Sequence, residues 1–393
     1  MNTRQVVFGT KGLRSFGDGM MSVALAQYAV AIGLSGFEAG LVATSALVGT
    51  SITTWLVGQY VERIGRRRLL IWAAMLAIAT GLAYAASSSL AILLGVAFIG
   101  TVNPTSGDVS SSLPIEQAIL AQEGEARDRV RLFARFNVVG SLAAAFGALA
   151  SGSTVLLEHL PGVGTLGAIR LLFVLYSVVG VATLLLTMKL TPAAELVKTE
   201  NRTGLGPSRR KVYTLSALFA TDAFAGALVV QSIIALYLLR KFGLDPATTG
   251  AVFFGTSLLS AVSFMISSRL SMRFGLVNTM VFTHLPSNAL LMGVAFAPNA
   301  AVAIAFLMAR SMLSQMDVPP RSALIVSIVE PGERAATTAV TSLSRSVASA
   351  GAPAIGGALL SSSFGGLPFL VCGAMKTGYD VALWALFRKV ELK

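Results

Sequence analysis

Asp222, Arg310 and Lys376 each stand about ten residues inside long apolar runs, and Asp18 has a similar setting near the N-terminus. A charge at the centre of a bilayer costs from about 3 kcal/mol on insertion scales to more than 10 in simulations, so each one asks for a use. An acid whose surroundings alternate between water and protein can take up and release a proton, and a cation beside it can hold a solute group. These four residues are the candidates for substrate binding or proton coupling. A fixed ion pair from Asp222 to Arg310 or Lys376, holding helices together, would use the same residues. Lys376 with Asp380, and Asp317 with Arg321, also have the four-residue spacing of local helix pairs.

A second set lies nearer the ends of its runs. Asp108 and Asp317 fall about 18 residues along their segments, about 27 Å at 1.5 Å per residue, and Arg135 and Arg345 stand at the starts of theirs. That level predicts a cytoplasmic gate in which acids of one half pair with arginines of the other, together with Glu62 and Arg66; snorkelling to the headgroups is the rival account. A single cysteine, Cys372, excludes an internal disulfide. His159 and His284 lie far apart without clustered thiols or acids, so no metal site and no cofactor is expected, and both histidines read as incidental.

The elements that must carry these residues are membrane helices. Of 393 residues 54% are hydrophobic and 12% charged, against roughly 25% charged in soluble domains. Runs able to cross about 30 Å of hydrocarbon recur along the chain. Their flanks predict spans near 12–35, 38–58, 68–87, 90–112, 132–154 and 167–189, then 212–238, 247–268, 276–296, 299–329, 335–361 and 366–388. Basic residues gather in alternate loops, which accounts for the net charge of +12 without nucleic acid and sets both termini in the cytoplasm of a cell whose inner membrane holds the chain. The first span, containing Asp18, is too long for a cleaved signal and is read as retained. Asn103-Pro104 suggests a break in the fourth span, and residues 113–135 read as a polar surface helix in which Glu116 has no assigned task.

The longest polar stretch, 191–211, reads as a linker between a six-helix bundle over 1–190 and another over 212–393. DGMMSVALAQ at 18–27 matches DAFAGALVVQ at 222–231, ERIG at 62–65 matches MRFG at 272–275, GDVSS at 107–111 matches MDVPP at 316–320, and Arg135 matches Arg345. The offsets, 204 to 210, are nearly constant, as a duplicated unit requires.

GQYVERIGRRRLL, between the second and third spans, has five charges in thirteen positions. Gly58, Glu62, Arg63, Gly65, Arg66 and Arg67 fill the pattern G-x(3)-[DE]-R-x-G-R-[RK], which resembles the signature loop of the major facilitator superfamily (MFS) over a chain of matching span number. The resemblance implies an all-α fold of twelve transmembrane helices in two pseudo-symmetric six-helix bundles, alternating access driven by an ion or solute gradient, and a role for the loop acid, here Glu62, in holding the cytoplasmic side closed. Drug exporters of the superfamily usually carry an Arg in the fourth helix and G-P-x-x-G-G in the fifth. This chain has Thr101 and NVVGSLAAAFGAL there, and its nearest equivalents, Arg310 and GAPAIGG at 351–357, lie in the second half. QMDVPPRSA, LPIEQA and KTGYD resemble a prokaryotic branch whose motifs name no substrate.

No Gly-Lys dipeptide occurs, which excludes a Walker-type nucleotide loop, and no paired-acid or histidine cluster suggests an enzyme. The reading is a proton-coupled secondary transporter of a small organic solute, working as a monomer in lipid, with efflux by antiport one possible mode. An importer or uniporter of the same fold is the alternative, and a membrane receptor a more distant one.

Overall fold

A computed structural model describes residues 2–104, 110–123, 129–191, 195, 206, 208–329 and 333–388, with the side chain of Glu62 outside the description. All regular structure among them is helical. In chain order the helices are α1 (Thr3–Ala31), α2 (Gly36–Ile64), α3 (Arg66–Ala86), α4 (Leu90–Ile99), α5 (Leu113–Glu123), α6 (Arg129–Ala150), α7 (Thr154–Leu157), α8 (Gly164–Thr187) and α9 (Arg209–Ala227). They continue as α10 (Gln231–Phe242), α11 (Pro246–Phe274), α12 (Leu276–Ala295), α13 (Ala300–Ser314), α14 (Val318–Ser327), α15 (Arg334–Ala350), α16 (Ala352–Leu360) and α17 (Leu367–Phe387). Their order is consistent with twelve passes if the fourth, fifth, seventh, tenth and eleventh are each built from two helices. Seven stretches among the described residues are long and apolar enough to cross a membrane on those grounds alone. Trp55, Trp72, Leu185 and Met265 are each more than half exposed, a surface suited to lipid rather than water.

The helix starts follow from local chemistry. Asn2 accepts from the Gln5 amide while Gln5 reaches back to the Asn2 amide, a capping box that begins α1 at Thr3, nine residues earlier than the apolar run implied. Ser35 and Glu38 do the same for α2. Helix α2 then runs through most of the polar signature stretch and stops at Gly65, whose φ of 92° carries the chain straight into α3. Gly275, with φ 82°, makes the same one-residue elbow between α11 and α12. The two elbows lie 210 residues apart, at the paired ERIG and MRFG.

The fourth span departs from expectation. Helix α4 ends at Ile99, and residues 113–123 form α5, which is not a surface helix: Ile115, Ile119 and Leu120 are buried with Val6, Val7, Leu70, Leu132 and Phe136. Their i, i+4 spacing gives α5 an apolar face, and its polar residue there, Glu116, is matched by a cation of α1.

Packing divides the chain into two compact units, 1–198 with 230–254, and 199–229 with 255–393. The packing boundary therefore differs from the repeat boundary, because the seventh pass is broken at 228–230. Its first part, α9, belongs to unit 2, and its second, α10, packs on α1 and α2 in unit 1. In unit 1 a core of Met20, Met21, Tyr28, Tyr84, Leu172 and Phe173 forms beyond Asp18. In unit 2, Val212, Leu215, Phe219, Met280, Leu324, Tyr379 and Leu383 surround the polar residues that follow.

Candidate functional site

Asp222, on α9, is 3% exposed and is the centre of an ion cluster in unit 2. Lys376 of α17 donates to Oδ1 at 2.5 Å, Arg345 of α15 donates to Oδ2 at 3.3 Å, and Arg321 of α14 stands 3.9 Å from Oδ2. One carboxylate thus ties four helices. Gly226 lies one turn beyond Asp222, where a β-carbon would stand in ordinary van der Waals contact, 3.5 Å, with the end of the Lys376 chain. Arg321 is also held by Asp317, four residues earlier, and its guanidinium lies 5.9 Å from the Phe219 ring centre.

A neutral or singly charged triad adjoins this cluster. His284 of α12 directs Nδ1 at both oxygens of Asp380, 3.0 and 3.1 Å away, and Asn288, one turn on, donates to Asp380 at 2.8 Å. All three are at most 4% exposed. Arg310 of α13 differs from the other cations. No side chain or carbonyl among the described residues accepts a hydrogen bond from it, its Nε is buried without a partner, and its electrostatic neighbours are Cys372 and Asp222.

Unit 1 holds its own buried pair. Arg14 of α1 grips Glu116 of α5 in a two-pronged contact of 2.6 and 2.7 Å, and the Thr10 hydroxyl donates to the same carboxylate at 3.2 Å. Such planar two-bond contacts are the strong form of the ion pair. Lys11 lies 5.2 Å from the Phe136 ring centre, and Asp18, 1% exposed, has an Oδ1 without a hydrogen-bond partner. Beside the Arg14–Glu116 pair is a cavity of about 50 Å³ lined by apolar and hydroxyl side chains together, among the latter Thr10, Thr101 and Tyr176. Tyr176 and Thr101 bond each other at 2.9 Å.

At the signature loop the chain bends at Gly65 and exposes the first amides of α3. The Glu195 carboxylate accepts from the amides of Arg66 and Arg67 at 2.8 and 3.2 Å, an anion set on a helix N-terminus. Arg67 also donates through Nη2 to the Met188 carbonyl at 2.8 Å, so the loop is fastened to the segment leaving α8. Arg63 is exposed, and Gly58 sits in mid-helix with open space around it.

The structure brings Asp222, Lys376, Arg345 and Asp317 into one cluster in unit 2, with Arg310 as an electrostatic neighbour of Asp222. Lys376 meets Asp222 rather than Asp380, and Asp317 meets Arg321. Asp18 belongs to unit 1, Arg135 is exposed on α6, and Asp108 lies outside the described residues. Sequence reasoning passed over Arg14, Glu116, His284, Asn288, Arg321 as an Asp222 partner, and Glu195. The available signal for Arg14 was the capping motif Asn2-Thr3-Arg4-Gln5, which places it twelve residues into a helix rather than in a loop.

Residues 7–309 and 212–392 match the family model described as the Major Facilitator Superfamily. A mutant of the nucleoside transporter NupG superposes with a TM-score of 0.78 at 14% identity, covering 98% of this chain and 100% of that one. The xylose transporter XylE from E. coli, in an inward open conformation, gives 0.72 at 14% identity, covering 99% and 96%. An uncharacterized membrane protein of Saccharomyces cerevisiae is 24% identical over 416 residues, 97% of this chain and 93% of its own. With its signature loop and a family match from residue 7 to residue 392, the chain belongs to the major facilitator superfamily.

Proposed function

We propose that the protein is a secondary active transporter that moves a small organic solute by alternating access, coupled to protons, as a monomer in the inner membrane with both termini cytoplasmic. The observation that carries this reading is the single buried carboxylate of Asp222, which holds α9, α14, α15 and α17 through three cations. A proton on that carboxylate would cancel the attraction that joins the four helices. Protonation and helix rearrangement are then one event, which is what coupling requires. Arg345 and Asp317, placed by sequence near the cytoplasmic mouth, are linked to Asp222 directly and through Arg321. Opening of a gate built on Glu62, Arg66, Asp108, Arg135, Asp317 and Arg345 would therefore change the charge balance at Asp222.

Asp18, its counterpart in the repeat, is buried with an oxygen unpartnered and is the second coupling residue in this scheme. Lys376 and Arg310 would meet the solute. NupG carries nucleosides and XylE xylose, by their descriptions, which supports solutes of that size. A proton on Asp222 would free Lys376 and Arg345 for a solute, so that proton and solute bind together as uptake requires, whereas efflux by antiport would require each to displace the other.

Purified protein in proteoliposomes tests the coupling. A pH gradient should drive solute accumulation in the wild type, while Asp222→Asn should lose accumulation and keep equilibrium exchange. Accumulation by Asp222→Asn at the wild-type level rejects Asp222 as the coupling residue. A solute that binds the wild type yet never accumulates under any gradient rejects active transport.

A further inference from the structure

We infer that the transported solute is an organic anion and that Arg310 holds its acidic group; the inference rests on the transporter reading above. The charges of the unit 2 cluster, partly or fully buried, do not balance. Asp222, Asp317 and Asp380 stand among Lys376, Arg321 and Arg345, with His284 on Asp380 and Arg310 as an electrostatic neighbour of Asp222. Three carboxylates meet four cations even when His284 is neutral, so one cation lacks a counter-charge.

Geometry identifies it. Lys376, Arg345 and Arg321 each stand within 4.0 Å of a carboxylate, and Asp380 is taken by His284 and Asn288. Arg310 has no hydrogen-bond acceptor among the described residues, and its Nε is buried. It is not on the flank of its helix where it could reach headgroups: it lies eleven residues into the apolar run that opens the tenth span, in the last third of α13. A guanidinium carries five donors in a planar fork that matches a carboxylate or a phosphate. Without such a partner the partly buried guanidinium, with its Nε out of reach of water, is unfavourable, and a diffusible anion supplies one. Arg345, whose side chain is 32% exposed, and Lys376 lie on the same Asp222 hub and extend the positive field that would draw the anion in.

The same arrangement states how solute and proton communicate. Asp222 and the anion draw on one set of cations, so neutralising Asp222 strengthens the claim of the anion on Lys376 and Arg345. The cavity beside Arg14 in unit 1 has the opposite character, because its cation is fully matched by Glu116.

Binding to matched pairs of compounds, measured by thermal shift and calorimetry on the purified full chain, tests this. The pairs are lactate and lactamide, benzoate and benzamide, succinate and succinamide, and glucose 6-phosphate and glucose. At least one anion should bind about tenfold or more tightly than its neutral partner, the range expected for charge-assisted hydrogen bonds. The carboxylate and phosphate arms show which acid group the site takes. Arg310→Gln should abolish that preference, and Arg310→Lys, which keeps the charge and serves as the control for folding, should retain part of it. The inference is overturned if no anion is preferred, or if Arg310→Gln folds and keeps the preference. Accumulation of a neutral solute that is indifferent to Arg310→Gln would discard the anion and leave the transporter. Anion binding by a protein that accumulates no solute would keep the site and discard transport.

Discussion

At the scale of single residues, the Arg14–Glu116 pair makes a sharp demand. Its two hydrogen bonds, 2.6 and 2.7 Å long, join α1 to α5 where Glu116 is fully buried and the Arg14 side chain is 15% exposed. Removing one member of a buried pair costs about 3–5 kcal/mol, mostly because the other charge is left without compensation. Glu116→Gln should therefore lower the melting temperature of the detergent-solubilised protein markedly, and adding Arg14→Gln should recover much of the loss. Equal melting of Glu116→Gln and wild type would show the pair to be immaterial. This pair was illegible in the sequence for a definite reason. Arg14 has the appearance of one more positive residue before a first span, and Glu116 lies 102 residues away, so only tertiary packing brings them together. Asp222, Arg310 and Lys376 were legible, because a charge deep in an apolar run is conspicuous by itself. The Asp222–Lys376 pair was among the sequence alternatives, but Arg345 and Arg321 as further partners of Asp222 are fixed by contacts across several helices and could not be read from spacing. His284 shows the same limit: a lone histidine in an apolar run gave no sign of Asp380, 96 residues on.

At the scale of elements, the repeat was readable because it has a backbone cause. Gly65 (φ 92°, ψ 146°) and Gly275 (φ 82°, ψ 164°) occupy a region that a side chain reaches only at a cost of about 1–3 kcal/mol. Both Gly65→Ala and Gly275→Ala should destabilise the protein by about that amount. They should not be equal. A β-carbon at Gly65 would meet the Glu195 carboxylate oxygens at 3.1 Å, whereas one at Gly275 would meet nothing within 4 Å. Gly65→Ala should thus melt lower than Gly275→Ala, and Glu195→Ala, which removes the crowding group, should narrow the gap; the reverse order would mean that Glu195 does not crowd Gly65. The helical, membrane-spanning character followed from hydropathy, while the interruptions did not. The break after Ile99 was signalled by Asn103-Pro104, but the burial of α5 depends on a face of three apolar residues too sparse to separate from a surface helix.

At the scale of the whole chain, the sequence repeat and the packing units cut the molecule in different places, and the difference has a measurable consequence. The polar stretch 191–211 reads in sequence as a linker between repeats, yet α10 and the first turns of α11, which begin about twenty residues after it, pack in unit 1. Ile233, Leu236, Tyr237 and Leu238 of α10 are at most 1% exposed, Ser232 donates its amide to the Pro104 carbonyl at 3.3 Å, and Arg240 donates to the Leu34 carbonyl. At the start of α11, Phe254 meets Phe146 edge-on with ring centres 5.4 Å apart, and Gly152 leaves room for Ala247. Apolar burial adds little driving force between helices in lipid, so the association rests on this close packing and on the backbone bonds. A protease site inserted after Arg202 would divide the chain into fragments of which the second contributes α10 to the fold of the first. The cleaved protein should stay together in mild detergent, with a tag on one fragment retaining both on an affinity column. Alanine replacement of Tyr237 and Arg240 should loosen that hold and let the fragments part at lower detergent or heat. Fragments that separate at once after cleavage of the unaltered chain would mean that α10 contributes no binding to unit 1.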